Sequence, residues 1–336
     1  MRAARLFEYH KPLRIVDADY PKIKRPDHVI VRIRGAGVCH TDLHVVEGVW
    51  RVSLPLTLGH ENTGVVEEVG EGVEGFKRND PVVVHPVMTC GVCRACRAGE
   101  DMYCENLEFV GMGRDGGFAE FMLTSVRSLI RADGLDLVEV APLADAGLTA
   151  IRAVKKAAPG LYPGSFTAVI GVGGLGHIAI QLLKQMTTTN IIAVDIVESK
   201  LRLAEQLGSE YVVNARDDPV KEVMAITGGR GVNVALDFVG TQTTHETCLR
   251  ILRKGGKFIV VGYGGVINLR SADMIANELT IEGSLVGNYI ELQDLVELTR
   301  LGKLKVITNR YGLDQVNEVL DKLKTGELIG RAVLTP

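Results

Sequence analysis

Over the first 145 or so residues, hydrophobic and polar positions alternate in short runs, which is the period of strands with one buried face. The clearest runs are His28–Ile33 and Gly64–Gly70. A turn at Asn79 and Asp80 leads into a third run that ends at Val84. Glycine and proline separate these segments. The pattern predicts an antiparallel β domain.

The pattern changes near Pro142, where a connecting helix is predicted to end before Pro159. Beyond it, apolar runs without alternation lie between segments with helical spacing, one of which is predicted to end with Gly208 as its cap. The runs that predict strands are Phe166–Ile170, Asn190–Asp195, Tyr211–Val213, Val232–Asp237, Lys257–Val261 and Leu279–Ile281. Such a succession indicates an α/β fold with a parallel, doubly wound sheet.

From about residue 290, helix and strand segments return, and we expect them to complete the first domain. The predicted division is therefore residues 1–148 with 289–336 for the β domain, and 149–288 for the doubly wound domain. A net charge of -3 gives no electrostatic reason to expect nucleic acid or a membrane surface as partner. The N-terminus lacks a signal-like apolar stretch, and no run is long enough to span a bilayer, so a soluble cytoplasmic protein is predicted.

A glycine-rich turn joins the predicted strand Phe166–Ile170 to a helix. It reads Gly171-Val172-Gly173-Gly174-Leu175-Gly176. In a dinucleotide-binding turn, the first glycine permits the tight bend, the second admits the pyrophosphate and the third allows close helix packing. Asp195 closes the next strand, where a carboxylate bonds the ribose hydroxyls and repels a 2′-phosphate. NAD is thus favoured, although Lys200 and Arg202 leave NADP open, and a purely structural turn is the alternative.

Four of the six cysteines form one spaced cluster, namely Cys90, Cys93, Cys96 and Cys104. Four thiolates on one loop are typical of a closed, structural zinc site, although iron–sulfur clusters are also held by four cysteines. The loop has little apolar sequence, so a metal would supply its order. Cys248 stands apart and is expected to be a buried core residue.

Two further segments carry residue types that ligate metals: one runs from Gly37 through Cys39 to His44, and the other is Gly59-His60-Glu61. Taken singly, each histidine or cysteine would be a core residue. Together with the glycine turn, the cysteine lobe, Asp237-Phe238-Val239-Gly240 and the terminal Gly330-Arg331, they make the chain resemble, over essentially its whole length, the zinc-containing medium-chain alcohol dehydrogenases.

The resemblance implies a GroES-like catalytic domain, a Rossmann coenzyme domain, and an NAD-dependent alcohol dehydrogenase with one catalytic and one structural zinc. It implies that Cys39 and His60 ligate the catalytic zinc, with Glu61 beside them as a neighbouring or alternating ligand. Thr41 would bond the substrate hydroxyl, and His44 would pass its proton to solvent. The cofactor contacts it implies are His40, Thr149, the turn 171–176, Asp195, Lys200, Val239, Val261, Leu285 and Arg331, the last at the pyrophosphate.

One position departs from the family pattern. Where most members have cysteine as the third ligand of the catalytic zinc, this chain has Asp145. Aspartate also ligates zinc and carries the same charge as a thiolate, and some archaeal members have it. A less electron-rich oxygen donor would leave the metal a stronger Lewis acid. The alternative is that Asp145 only caps a helix N-terminus.

The substrate is less constrained. Trp50, the only tryptophan, with Leu285 and Val286, favours apolar primary or secondary alcohols over sugars. Trp50 is equally well explained as a core or subunit-contact residue. A polyol, sugar or amino-alcohol dehydrogenase of the same fold is the nearest rival, and a catalytically silent NAD-binding zinc protein is another. A homo-oligomer is expected, a tetramer before a dimer, with the Leu279–Val286 strand able to pair between subunits.

Overall fold

The computed structural model describes all 336 residues, and they form two compact units. Unit 1 contains Met1–Leu148 and Gly287–Pro336, and unit 2 is Thr149–Val286. Unit 1 is thus discontinuous, because unit 2 lies between its two segments in the sequence. The first boundary is the predicted one, whereas unit 2 ends at Val286 and not at residue 288 as predicted, because Gly287 already packs against Leu148 and Glu291 of unit 1.

The first segment of unit 1 is built mainly from short strands. They are β1 (Arg2–Leu6), β2 (Arg14–Asp17), β3 (His28–Gly37), β4 (Leu56–Thr57), β5 (Glu61–Val69), β6 (Pro81–Val84), β7 (Val87–Met88), β8 (Glu108–Phe109), β9 (Phe121–Ser125) and β10 (Leu129–Arg131). Its helices are α1 (His40–Val46), α2 (Arg94–Arg97), α3 (Leu137–Val140) and α4 (Ala146–Ala157), which crosses the boundary.

Unit 2 alternates strands with helices. Its strands are β11 (Phe166–Ile170), β12 (Asn190–Asp195), β13 (Tyr211–Asn214), β14 (Val232–Asp237), β15 (Leu252–Val260) and β16 (Thr280–Gly283). Its helices are α5 (Gly176–Met186), α6 (Glu198–Gln206), α7 (Pro219–Ile226), α8 (Gln242–Ile251) and α9 (Ser271–Ala276). β15 begins before the predicted Lys257, since its first half is glycine-containing, half-exposed and without an apolar run.

The chain then returns to unit 1 through α10 (Tyr289–Arg300), β17 (Thr308–Gly312), α11 (Val316–Thr325) and β18 (Arg331–Thr335). Short 3-10 helices at Asp101–Tyr103, Val126–Ser128, Ala141–Ala144, Ala158–Gly160 and Leu313–Gln315 complete the chain. No helix has both the length and the apolar character that crossing a bilayer requires.

The main sheet of unit 1 has the order β10-β6-β5-β3-β18-β17, with β9 also paired to β3. Its pairs are antiparallel, as predicted, except β17 with β18, which α11 joins as a parallel crossover. β3 is central and mostly buried, and it continues past the predicted Ile33 to Gly37. Because β3 is antiparallel to β5 and to β18, the end of β3 lies beside the starts of both neighbours.

The sheet of unit 2 has six parallel strands in the order β13-β12-β11-β14-β15-β16. The predicted doubly wound sheet is confirmed, and β14 is buried along its whole length. All strand carboxyl ends lie at one edge, and the strand order reverses between β11 and β14. Such a reversal is where open α/β sheets bind ligands.

Candidate active site and metal centres

Cys39, His60 and Asp145 converge in unit 1, although 106 positions separate the first from the last. The His60 Nε2 to Asp145 Oδ2 distance is 3.4 Å, and Cys39 Sγ lies 3.6 Å from the same oxygen. All three residues are buried. The resemblance had grouped these residues, and the fold brings their ligand atoms together.

Local structure explains how each residue reaches this point. Cys39 follows β3 and is the N-cap residue of α1, where its amide donates to Asp42 Oδ2 at 2.8 Å. His60 directly precedes β5 and follows Gly59, whose φ of 96° suits a glycine. Asp145 directly precedes α4. Three loop residues are therefore held by the ends of regular elements.

The spacing of the three donor atoms fits zinc. For a tetrahedral ion with Zn–N and Zn–O near 2.0–2.1 Å and Zn–S near 2.3 Å, ligand atoms lie roughly 3.3–3.6 Å apart. The observed 3.4 and 3.6 Å agree with that separation. Three protein ligands leave a fourth position open, which is the arrangement of catalytic rather than structural zinc sites.

Asp42 is a site residue for which the sequence pattern predicted no role. Its carboxylate is buried, and Oδ1 lies 3.5 Å from His60 Nδ1, on the side of the ring away from Asp145. Histidines that bind metals commonly direct their second nitrogen at a carboxylate, which fixes the ring orientation. The signal was available: an acidic residue three positions after Cys39 also closes a capping box.

Beside the cluster, Glu61 and Arg331 form a buried ion pair. Arg331 Nε donates to Glu61 Oε2 at 3.0 Å and Nη2 donates to Oε1, while Nη2 stays 3.9 Å from Asp145 Oδ2. Glu61 is placed by strand register, because it pairs with Gly37, where any Cβ would overlap its carboxylate. The pyrophosphate contact predicted for Arg331 stays a prediction.

The electrostatics of the cluster favour a bound cation. Burial opposes a charge on His60, but Asp42 and Asp145 outweigh it and raise the pKa of His60 well above its usual value. Burial likewise opposes the charge on Asp145, yet its contacts with His60 and Arg331 lower the pKa of that carboxyl. An anionic pocket that stabilises positive charge at His60 provides the field that a dication requires.

The predicted proton-transfer residues lie on α1. Thr41 Oγ1 is 3.6 Å from Cys39 Sγ, and His44 follows one turn later with its ring centroid 6.4 Å from that of His40. Burial lowers the pKa of His44, more than the nearby Glu47 raises it. Trp50, just beyond α1, has 46% of its surface exposed, so the alternative that it is a core residue is wrong.

The cysteine lobe forms a second cluster in unit 1. The Sγ–Sγ distances are 3.5 Å for Cys93–Cys96, 3.6 Å for Cys104–Cys90 and 3.9 Å for Cys90–Cys96. Four sulfurs around one zinc at about 2.3 Å lie roughly 3.8 Å apart. A four-iron cluster holds each thiolate on a different iron and needs a wider set. Amides of Val92 and Cys93 lower the pKa of Cys90 to about 6, which favours thiolate.

In unit 2 the glycine turn lies at the carboxyl end of β11, and α5 begins at Gly176. Gly171 has a φ of 88°, and a Cβ on Gly176 would overlap the Gly171 carbonyl oxygen. A Cβ on Gly173 would instead meet nothing within 4 Å, so the space in front of the turn is open. This geometry is compatible with the three predicted glycine roles, and an open cradle before a helix N-terminus fits a pyrophosphate.

Asp195 ends β12 at the same sheet edge. Its Oδ2 accepts the Val172 amide at 2.8 Å and its Oδ1 accepts the Val197 amide at 2.9 Å. Each oxygen keeps a second lone pair with which to accept from a ribose hydroxyl. The other predicted cofactor residues of unit 2 are Thr149 on α4, Lys200 on α6, Val239 after β14, Val261 after β15 and Leu285 after β16.

Family models match both units. The model described as alcohol dehydrogenase GroES-like domain matches residues 25–134. The model described as zinc-binding dehydrogenase matches residues 174–300.

Relatives match the chain over its whole length. The NAD-dependent alcohol dehydrogenase of Sulfurisphaera tokodaii is 38% identical over 100% of both chains. The D-arabinose 1-dehydrogenase (NADP(+)) of Saccharolobus solfataricus is also 38% identical, over 100% of this chain and 97% of its own. Among solved structures, the alcohol dehydrogenase of the archaeon Aeropyrum pernix matches with a TM-score of 0.98 and 58% identity, covering 100% of both chains.

Proposed function

The chain belongs to the zinc-containing medium-chain alcohol dehydrogenase family, and we propose that it interconverts alcohols with aldehydes or ketones by hydride transfer to or from NAD. The observation that carries this proposal is the convergence of Cys39, His60 and Asp145, with donor-atom distances of 3.4 and 3.6 Å that match tetrahedral zinc. A catalytically silent NAD-binding protein would have no use for such a site.

Cys39, His60 and Asp145 would hold the catalytic zinc, and the four cysteines of the lobe would hold the structural one. Bound there, zinc would supply Lewis-acid activation of an alcohol or carbonyl oxygen, and NAD would take up or return the hydride. Asp42 orients the His60 ring, and the Glu61–Arg331 pair adjoins the ligands without exposing a charge. The family resemblance is what supports the further proposal of a pyrophosphate contact for Arg331.

Thr41 and His44 move the proton. The Thr41 hydroxyl both accepts and donates, so it takes a proton from the substrate hydroxyl and passes one on. His44, three residues later on the same helix face, accepts it as a neutral ring. The lowered pKa of His44 supports this role, because the ring is then neutral at pH 7.

The substrate is proposed to be an apolar primary or secondary alcohol. Val49 and Trp50 expose apolar surface directly after α1, the helix that carries Thr41 and His44. A sugar or polyol site would present several polar partners for hydroxyl groups there. The similarity to a D-arabinose dehydrogenase makes the sugar alternative the one to test against.

A single set of measurements tests the proposal. Purified protein is assayed for zinc content and for NADH formation with aliphatic, benzylic, polyol and sugar substrates. Two zinc ions per chain and preference for the aliphatic or benzylic alcohols support it. Preference for arabinose or sorbitol refutes the substrate class, and one zinc without any alcohol-dependent NADH refutes the activity. A Trp50→Ala variant with reduced preference for large apolar alcohols would support the pocket role.

We propose a homo-oligomer located in the cytoplasm. β16 is an edge strand of the unit 2 sheet, and an unpaired edge is a ready template for pairing with a second copy. None of the six cysteines is in a disulfide, as is usual for proteins of reducing compartments. Light scattering on the purified protein distinguishes a tetramer, which is favoured, from a dimer or a monomer.

A further inference from the structure

Arg216 lies beside the proposed ribose-binding residue Asp195. The strands β12 and β13 are parallel neighbours, and Asp195 is opposite Asn214 at their carboxyl ends. The two segments that follow these strands stay adjacent, because the Ala215 amide donates to the Asp195 carbonyl at 3.0 Å. The Arg216 guanidinium Nε then donates to the Ile196 carbonyl at 3.0 Å. Arg216 is thereby anchored across the residue that follows Asp195.

The anchored guanidinium keeps two nitrogens available. Only its Nε and its backbone amide have hydrogen-bond acceptors, the latter being Asn214 Oδ1 at 3.0 Å, and no carboxylate lies within 4.0 Å of it. Arg202, an exposed arginine on α6, is instead paired with Glu198 at 3.5 Å. Arg216 is therefore a fixed cation with both terminal nitrogens unused.

At the end of the second strand of a dinucleotide-binding fold, an acidic residue bonds the ribose 2′-hydroxyl, whereas an arginine near that strand end accommodates a 2′-phosphate. This chain has both. The carboxylate of Asp195, which would repel the phosphate, already accepts two backbone amides at 2.8 and 2.9 Å, so part of its charge is offset. Two free guanidinium nitrogens match the oxygens of a phosphate in a bidentate contact.

We propose that Arg216 is a specificity-determining residue for the cofactor, and that it allows this chain to bind NADP in addition to NAD by contacting the 2′-phosphate. The inference rests on the proposed NAD site in unit 2. It differs from that proposal in predicting a second cofactor and in assigning its recognition to one side chain.

The test is calorimetric titration of the full-length protein with four ligands: NAD, NADP, 5′-AMP and 2′,5′-ADP. The wild-type protein is expected to bind NADP measurably. In Arg216→Gln, the dissociation constants of NADP and 2′,5′-ADP should rise about tenfold, which is the usual worth of a charge-assisted contact. Those of NAD and 5′-AMP should change less than about twofold, since these ligands lack the 2′-phosphate.

Arg202→Gln is the matched control, because it removes the same charge from an exposed side chain of unit 2 that is already paired with Glu198. It should leave all four dissociation constants within about twofold of wild type. Thermal unfolding of both variants should match wild type, as is usual for exposed substitutions.

Three outcomes overturn the inference: no binding of NADP to the wild-type protein, equal weakening of NAD and NADP in Arg216→Gln, or an equal effect of Arg202→Gln. Failure of NAD and 5′-AMP to bind the wild type is a separate result, which refutes the cofactor site itself.

Discussion

Replacing Asp145 by asparagine tests the third zinc ligand while keeping any helix cap. Asp145 directly precedes α4, and asparagine caps a helix N-terminus as well as aspartate does. The amide, however, is uncharged and is a weaker zinc ligand than the carboxylate oxygen that lies 3.4 Å from His60 Nε2 and 3.6 Å from Cys39 Sγ. The substitution thus separates the two readings of this residue.

The size of the effect follows from the number of ligands. Binding of zinc at a four-ligand site is worth about 10–16 kcal/mol, or about 3 kcal/mol for each ligand. Loss of one ligand therefore weakens binding roughly a hundredfold. The cap alone is worth about 1 kcal/mol of stability and would affect no metal.

Zinc per chain is measured by atomic emission after dialysis against a graded series of chelator. Asp145→Asn should lose one of two zinc ions at chelator concentrations that the wild type resists. Asp145→Cys should regain the second ion, since a thiolate is the common third ligand of the family. The cysteine-lobe zinc should persist throughout and serves as the internal control.

The reasoning is refuted if Asp145→Asn retains both ions with wild-type affinity. It is equally refuted if Asp145→Ala loses only about 1 kcal/mol of unfolding free energy and no zinc, which is the behaviour of a helix cap.

Three further predictions concern other parts of the two sites. Gly37→Ala should lower the free energy of unfolding by about 3–5 kcal/mol, because the added methyl group overlaps Glu61 and breaks its buried ion pair with Arg331. An unchanged midpoint in a urea titration would contradict this. Gly173→Ala should unfold like wild type but bind NAD about tenfold more weakly in calorimetry, because the added methyl group occupies the open space in front of the turn. An unchanged affinity for NAD would argue against a pyrophosphate at this turn. His44→Gln should lower kcat about tenfold at pH 7, and the difference from wild type should shrink at higher pH, where hydroxide replaces the base. Because burial lowers the pKa of His44, the wild-type rate should hold to below pH 6.5, and parallel pH profiles of the two proteins would exclude the relay.

Much of unit 2 was predictable from sequence. The apolar runs at Phe166–Ile170, Asn190–Asp195 and Val232–Asp237 coincide with β11, β12 and β14. Strands buried on both faces need uninterrupted apolar residues, and a glycine turn needs its glycines, so both leave local signals. The half-exposed start of β15 has no such local signal, so it was not predicted.

The sequence predicted which residues ligate the metal but not the contacts that support those residues. The resemblance supplied Cys39, His60 and Asp145, whereas the role of Asp42 behind His60 and the pairing of Arg331 with Glu61 were not predicted. These contacts depend on which strands become neighbours and in which register, and no local pattern encodes that.

The sequence by itself determined the two-domain order, the doubly wound sheet and the residue types for zinc and dinucleotide, because hydrophobic period and motif chemistry are local properties. Only the tertiary structure decided that the ends of β18, β3 and β5 meet, so that Arg331 and Glu61 lie beside the ligands. It alone also anchored Arg216 beside Asp195. The physical reason is that burial and the distances between charges far apart in the chain are fixed only when the sheets pair.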